Sequence, residues 1–338
     1  MDNGSTPEIQ NVHPVNAIPG GDFHIHGSAL AGPERPHVMF GESQAPIIIG
    51  SDAFVIARVP DGTSSGELTI TNDDRSSLPY TCHIGIQIAD SVHPVSNPAV
   101  DSLGNVYTTL SGSRGQKTPV SVYRIDTENR IKPFLSDLMN PTGLAFDTEG
   151  MLYVSSRHEG VIFQATPKGE MAVYVEGMGV ATGLAFDKEG NLYVGDRSGT
   201  IFKIARTRQI YVFATIEPSI AAYHLAFDDD QNLYVTGPTT SSFDGVYRVA
   251  PDGQVTTFYR GLGRPQGLAI DANSNVYVAA SLGGRRGVIR ITQSGAADLF
   301  LSGPSIVGQC FAPGGQMIVA TTSAIFRVHT GVDGRPLP

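Results

Sequence analysis

Only two cysteines, Cys82 and Cys310, occur in 338 residues, too few for a disulfide framework and without the paired spacing of a structural zinc site. Both are read as buried free thiols. Charge is scarce as well, at 16% of residues, and acids outnumber bases to leave a formal charge of -9. General nucleic-acid binding rests on Lys and Arg displacing counterions, so this balance excludes that class. No stretch reaches the roughly 18 apolar residues of a membrane helix. The opening MDNGSTPEIQ lacks both the basic and the apolar segment of an export signal. The chain as given is expected to be soluble, with its compartment open, because a leader removed earlier would leave the same sequence. No G-x-S-x-G elbow, phosphate-binding loop or C-x-x-C pair is present.

What the chain does contain is turn chemistry and repetition. There are 39 glycines and 22 prolines beside 41% hydrophobic residues, a composition for many short strands joined by tight turns. Four segments align almost without gaps: GLAFDTEGMLYV from Gly143, GLAFDKEGNLYV from Gly183, HLAFDDDQNLYV from His224 and GLAIDANSNVYV from Gly267. Weaker copies begin at Asn97 (NPAVDSLGNVYT) and Gly308 (GQCFAPGGQMIV). The aligned positions Asp101, Asp147, Asp187, Asp228, Asp271 and Ala312 are 46, 40, 41, 43 and 41 residues apart, one propeller blade per repeat.

Each repeat supplies a strand, a D-x-x-G turn, a second strand such as LYVGD, a third such as GTIFKI and a fourth such as IYVFA. The last repeat lacks its fourth strand, and the tail HTGVDGRPLP is too short and too rich in Gly and Pro to make one. Cys82 to Ile88 lies in the right phase before the first repeat. Pairing with the last blade would close the ring and remove its exposed edges.

The pattern P-x-G-L-A-F-D-x-x-G-x-L-Y-V followed by G-x-I-F/Y-R/K-I resembles the NHL repeat and is similar to gluconolactonase and senescence-marker-protein propellers. The resemblance covers roughly residues 83 to 330. Residues 7 to 80 show no such period. Their Pro14, Gly20, Gly21, Gly27, Val38, Phe40, Gly41, Val59, Pro60, Gly62 and Gly66 resemble the IPT/TIG pattern, which implies an Ig-like spacer or interaction module without chemistry. The expected fold is all-β: an Ig-like β-sandwich over 1-82, then a six-bladed β-propeller over 83-338. One continuous strand near residues 78 to 90 is expected to serve both domains, making a short, stiff junction.

The repeated aspartates suggest acid-base or metal work, but Asp in a D-x-x-G turn bonds the backbone two residues on, and that reading is preferred. In an antiparallel blade the start of the first strand and the end of the second share one mouth of the channel, where binding chemistry is expected. The candidate ligand-binding set there is Thr142, Arg157, Thr182, Asp196, Arg197, His224 and Gln266. Arg157 and Arg197 offer planar donor forks for a carboxylate or sugar hydroxyls. His224, which replaces the glycine of its neighbours, is expected to bond an adjacent blade. His24 and His26 share a strand face but lack a third ligand, so they are read as surface residues.

The resemblance to gluconolactonases implies a divalent cation at this mouth, yet Thr142, Thr182, Tyr223 and Gln266 stand where an acid is needed and only Asp196 remains. The leading reading is therefore a monomeric, non-catalytic binding or scaffold protein for a small polar ligand, glycan, peptide or protein, with no cofactor. The alternative is a metal-dependent, gluconolactonase-like hydrolase holding a cation such as calcium. A polymer-cleaving lyase has no residue pattern to support it.

Overall fold

The computed structural model describes residues 5–335 apart from positions 33, 114 and 242, so the expected domain ends 1–4 and 336–338 lie outside the described residues. Strands are the only regular elements among the described residues, and no helix there is long and apolar enough to cross a membrane.

The N-terminal unit is two packed antiparallel sheets. One runs in the order Glu8–His13, Asp22–Ser28, Phe54–Arg58, Ile47–Gly50, and the other contains Tyr80–Thr81, Glu67–Asn72, His37–Phe40 and Ser43–Ala45. Alternation sets the faces. In DFHIHGS, Phe23 and Ile25 are buried, and Phe23 meets Phe40 of the other sheet at 5.4 Å between ring centroids. His24 and His26 project the other way and pack on the Phe54 ring at 5.5 and 4.8 Å. Their shared face is an aromatic contact.

Six further sheets each carry one repeat, with consecutive strands antiparallel and the L-A-F/I strand innermost. The repeated aspartate is a turn clamp. Asp147 Oδ1 accepts the Glu149 and Met151 amides, both at 2.9 Å, and Oδ2 accepts the Tyr153 hydroxyl at 3.1 Å. Where asparagine follows the turn, its amide takes the second oxygen, as Asn191 does on Asp187 at 2.8 Å. The tyrosine of L-Y-V also joins blades: Tyr153 lies edge-on between Tyr174 of its own blade and Phe186 of the next, at 4.9 and 4.8 Å. Such contacts add to the area term through the ring quadrupoles.

The closing strand is present but begins later than expected. Ile86–Ala89 pairs antiparallel with Ile325–His329 as the fourth strand of the last blade. The continuous strand expected to serve both domains is instead three short ones in three sheets. Tyr80–Thr81 completes the Ig-like unit, while His83–Ile84 pairs in parallel with Asn16–Ala17, itself parallel to the outer strand Ala297–Ser302 of the fifth blade. The two domains thus share a sheet, tied further by Asn16 Nδ2 donating to Phe300 O at 3.0 Å.

This arrangement also moves Cys82, expected on the outermost strand of the last blade. The small apolar side chain fills the Ig-like core, packed with Val38, Leu68 and their neighbours, while Cys310 sits on the innermost strand of the last blade. Both thiols are free, and burial pushes that of Cys82 up to about 12. Thiol titration under denaturing, non-reducing conditions should count two, whereas a native titration should leave Cys82 unreacted. Finding no thiol in the denatured chain would contradict the arrangement.

Among the described residues the tail after His329 forms no strand. It runs under the D-x-x-G ends, where Asp333 accepts the Gly315 amide at 3.1 Å in the one blade whose repeat aspartate is Ala312. Gly334 then makes a single bridge to Asp271, and Arg335 pairs with Asp229 at 2.8 Å.

Candidate functional site

Strand polarity brings the expected residues to one face. Pro141 lies opposite Ser156, Ala181 opposite Asp196 and His224 opposite Thr236, each at the start of an inner strand and the end of the next. Most of the polar groups there are already engaged. Thr142 and Thr182 are fully buried. Thr142 Oγ1 donates to Asn140 O at 3.2 Å. Thr182 Oγ1 donates to Gly195 O at 2.9 Å and accepts the Tyr223 amide at 3.1 Å, lacing the third blade to the fourth. Asp196 accepts the Val180 amide at 2.8 Å on one oxygen and the Ser198 hydroxyl on the other. Arg197 is half-buried, donating to Ile220 O at 2.7 Å and Ser219 O at 3.4 Å. Arg157 occupies the matching place one blade earlier, its amide bonded to Asn140 O at 3.3 Å.

Behind this face the channel narrows to a waist. The inner strands contribute Asn97, Gly143, Gly183, His224, Gly267 and Gly308 at one repeat position. They converge so closely that a Cβ on Gly183 would stand 2.4 Å from Tyr223 O, and one on Gly267 2.4 Å from Gly308 Cα. Asn97 reaches across, donating to Leu268 O at 2.7 Å and accepting the Gln309 amide at 3.2 Å. His224 brings the other side chain. It is 2% exposed, and burial alone lowers its pKa to about 3, so the imidazole is neutral. The expected bond to an adjacent blade is not made: among the described residues no hydrogen bond reaches the ring.

These residues do not fit a catalytic cation. A divalent metal wants several oxygen donors carrying negative charge, whereas both oxygens of Asp196 are taken by local donors. No group of three His, Cys, Asp or Glu side chains among the described residues is placed to hold a metal.

The open polar surface lies beside the ring. A recess of about 310 Å³ in the fifth blade is lined by Arg264, Gln266, Ser281, Arg286 and Ser305, with no carboxylate in its walls. Neither the Arg264 nor the Arg286 guanidinium has a hydrogen bond or ion pair among the described residues. Ser305 also borders a cleft of about 650 Å³ between the Ig-like loop Asp61, Gly62, Thr63, Ser64 and the last blade's Thr321, Thr322 and Ser323. Of the seven expected residues, only Gln266 lines this recess.

Arg264 was legible in principle, because R-P-Q-G-L repeats N-P-T-G-L and puts Arg264 where Asn140 stands. Both have φ of 49°, a left-handed conformation that asparagine tolerates and arginine rarely adopts. Arg286 belongs to a hairpin, Val276–Leu282 with Arg285–Ile291, that is longer than its counterparts Leu192–Asp196 and Thr200–Ile204.

The protein is thus an Ig-like domain joined through a shared sheet to a six-bladed propeller. Residues 7–84 match the IPT/TIG domain family model, and this segment is an IPT/TIG domain. No curated protein matches the chain in sequence. Solved structures share the fold. An auxiliary nutrient binding protein from Bacteroides thetaiotaomicron superposes with TM-score 0.59 at 11% identity, over 97% of this chain and 98% of that one. A gluconolactonase from Xanthomonas campestris gives 0.61 at 14%, over 76% and 90%. Virginiamycin B lyase from Staphylococcus aureus gives 0.53 at 14%, over 72% and 96%. The propeller is accordingly of the NHL and gluconolactonase-like kind in fold.

Proposed function

We propose that the protein is a non-catalytic binding protein that takes a polar, anionic ligand, of the class of an acidic sugar, in the recess of the fifth blade. The observation that carries this reading is the pair of unpartnered guanidiniums, Arg264 and Arg286, in a recess without a carboxylate. Two planar donor forks beside an amide and two hydroxyls match a carboxylate with neighbouring hydroxyl groups. Gln266 contacts the ligand. Thr142, Thr182, Asp196, Arg197 and His224 hold the face in shape through the positions and bonds already described, with Arg157 at its rim. The IPT/TIG loop flanks the approach across Ser305. Likeness in fold to nutrient binding proteins accords with this role, and the engaged carboxylate of Asp196 speaks against the hydrolase.

The test is isothermal titration with uronic-acid and neutral oligosaccharides, together with a lactone hydrolysis assay in added calcium. Charge-assisted hydrogen bonds contribute about 1.5–3 kcal/mol each, so Arg264→Ala or Arg286→Ala should weaken uronate binding at least about tenfold. The loss should shrink as salt is raised. Calcium-dependent turnover abolished by Asp196→Ala would replace this reading with the hydrolase. Uronate affinity equal in wild type and both arginine variants would also overturn it.

A further inference from the structure

The opposite end of the propeller holds a second, chemically different cavity. The repeat position two residues after the waist carries Ala99, Ala145, Ala185, Ala226, Ala269 and Cys310, one small side chain from every blade. All six line a cavity of about 380 Å³. It ends at Asn97 and Gln309 on the waist side and opens between the D-x-x-G turns, far from the recess of Arg264. Larger apolar side chains, among them Phe186 and Phe311, continue its wall towards the opening.

The charges at this rim are already matched. Asp229 is paired with Arg335 at 2.8 Å and with Lys188 at 3.6 Å. Asp187 accepts the Glu189 and Asn191 amides at 3.0 and 2.8 Å and the Asn191 side chain at 2.8 Å. Burial pushes the Cys310 thiol up, so it is an uncharged group. A charged ligand would have to leave water for walls that offer no free counter-charge, which is costly. Water inside fares little better, since the methyl groups and thiol of the wall give it few hydrogen-bond partners beyond the unpartnered Gln309 Oε1 at the waist end. Its release favours an apolar guest.

We infer that the central channel is a second binding site, entered from the D-x-x-G end, for an uncharged, predominantly apolar small molecule. Its volume falls within the range of small-molecule sites, about 300–1,000 Å³. The ring of small side chains makes the room. A chain of larger residues at that register would fill it, and the neighbouring Leu144, Leu184, Leu225 and Leu268 already supply the packing between blades. The site is independent of the anionic recess, sharing no lining residue with it.

Cys310 gives the experiment a reporter inside the cavity, because Cys82 is sealed in the Ig-like core. The full chain is titrated with the uncharged fluorophore N-phenyl-1-naphthylamine, and labelling of Cys310 by N-ethylmaleimide is followed by peptide mapping. Saturable one-to-one binding is expected, with Cys310 labelling slowed at least fivefold at saturation. Ala226→Phe should weaken binding at least tenfold, Arg264→Ala should leave it unchanged, and the anionic 1-anilinonaphthalene-8-sulfonate should bind at least tenfold more weakly. Should Ala226→Phe misfold, the labelling of the unaltered protein still decides. Cys310 reacting equally fast with and without saturating fluorophore, or no saturable signal at all, would overturn the site. Equal affinity for the anionic fluorophore would overturn its preference for an uncharged guest.

Discussion

A chain beginning at residue 91 is expected to melt at least about 10 °C below the full chain, if it folds at all. The strand it loses, Ile86–Ala89, is the fourth strand of the last blade. Ile88 and Ala89 are buried in a cluster with Val100, Val106, Ile125, Ile318 and Ile325, which spans the first and last blades. Deleting a buried isoleucine side chain alone costs about 2–5 kcal/mol. In a domain of this size each kcal/mol lowers Tm by about 2–4 °C. The lost ladder bonds and the newly exposed strand edge add to that. A chain beginning at residue 83 is the control, because it keeps the closing strand and loses only the IPT/TIG domain with its sheet contact at Asn16–Ala17. It should melt well above the shorter chain. Equal melting of the two truncations would assign the stabilisation to the IPT/TIG contact, and equal melting of the shorter chain and the full one would remove any role for closure.

The sequence made the propeller legible because most blades repeat the same physical solution. The aspartate that clamps the turn, the tyrosine that reaches it and the aromatic of the next blade recur at fixed spacing. The junction was harder to read. Tyr80–Thr81, His83–Ile84 and Ile86–Ala89 are strands of two, two and four residues in three different sheets, too short for a period to show. The phase of Cys82 to Ile88 ahead of the first repeat therefore gave the closing segment its place and misplaced its start.

The candidate site was hidden for another reason. Sequence shows that Thr142, Thr182 and Asp196 are polar and share a face, but not that convergence of the inner strands leaves Thr182 bonded across two blades and each oxygen of Asp196 accepting a donor, from Val180 and Ser198. The groups left free, Arg264 and Arg286, lie where one blade departs from the repeat. The five alanines and Cys310 of the channel are the converse case: a small side chain at one repeat position carries no chemical signal, and only ring closure turns the six towards a common axis.

Stability should fall as the solution is acidified from about pH 6.5 to about pH 4.5, and His224 should account for much of the fall. Its pKa is lowered from 6.5 to about 3 by burial, with no charged group contributing. In the unfolded chain the imidazole takes up a proton below pH 6.5, whereas in the folded chain it stays neutral down to about pH 3. The unfolded state therefore binds more protons across that window, so stability is full above 6.5 and is lost as pH falls. The slope is about 1.4 kcal/mol per unit, or roughly 3 kcal/mol by about pH 4.5.

His13, His24 and His83 are also lowered by burial, but they are only partly buried and add a smaller slope of the same sign. Asp126, half-buried, and Asp229, exposed, are carboxylates lowered by their arginine partners. Their contribution is lost only below the ordinary carboxylate pKa of 3.8, beneath the window used. Chemical denaturation of wild type and His224→Gln between about pH 4.5 and pH 7.5 isolates the histidine. Whatever glutamine costs by itself is constant with pH, so the difference between the two proteins should narrow by roughly 3 kcal/mol on acidification. Parallel curves across this range would mean that the waist admits water or a counter-charge to the imidazole, and that His224 does not close the channel as a neutral group.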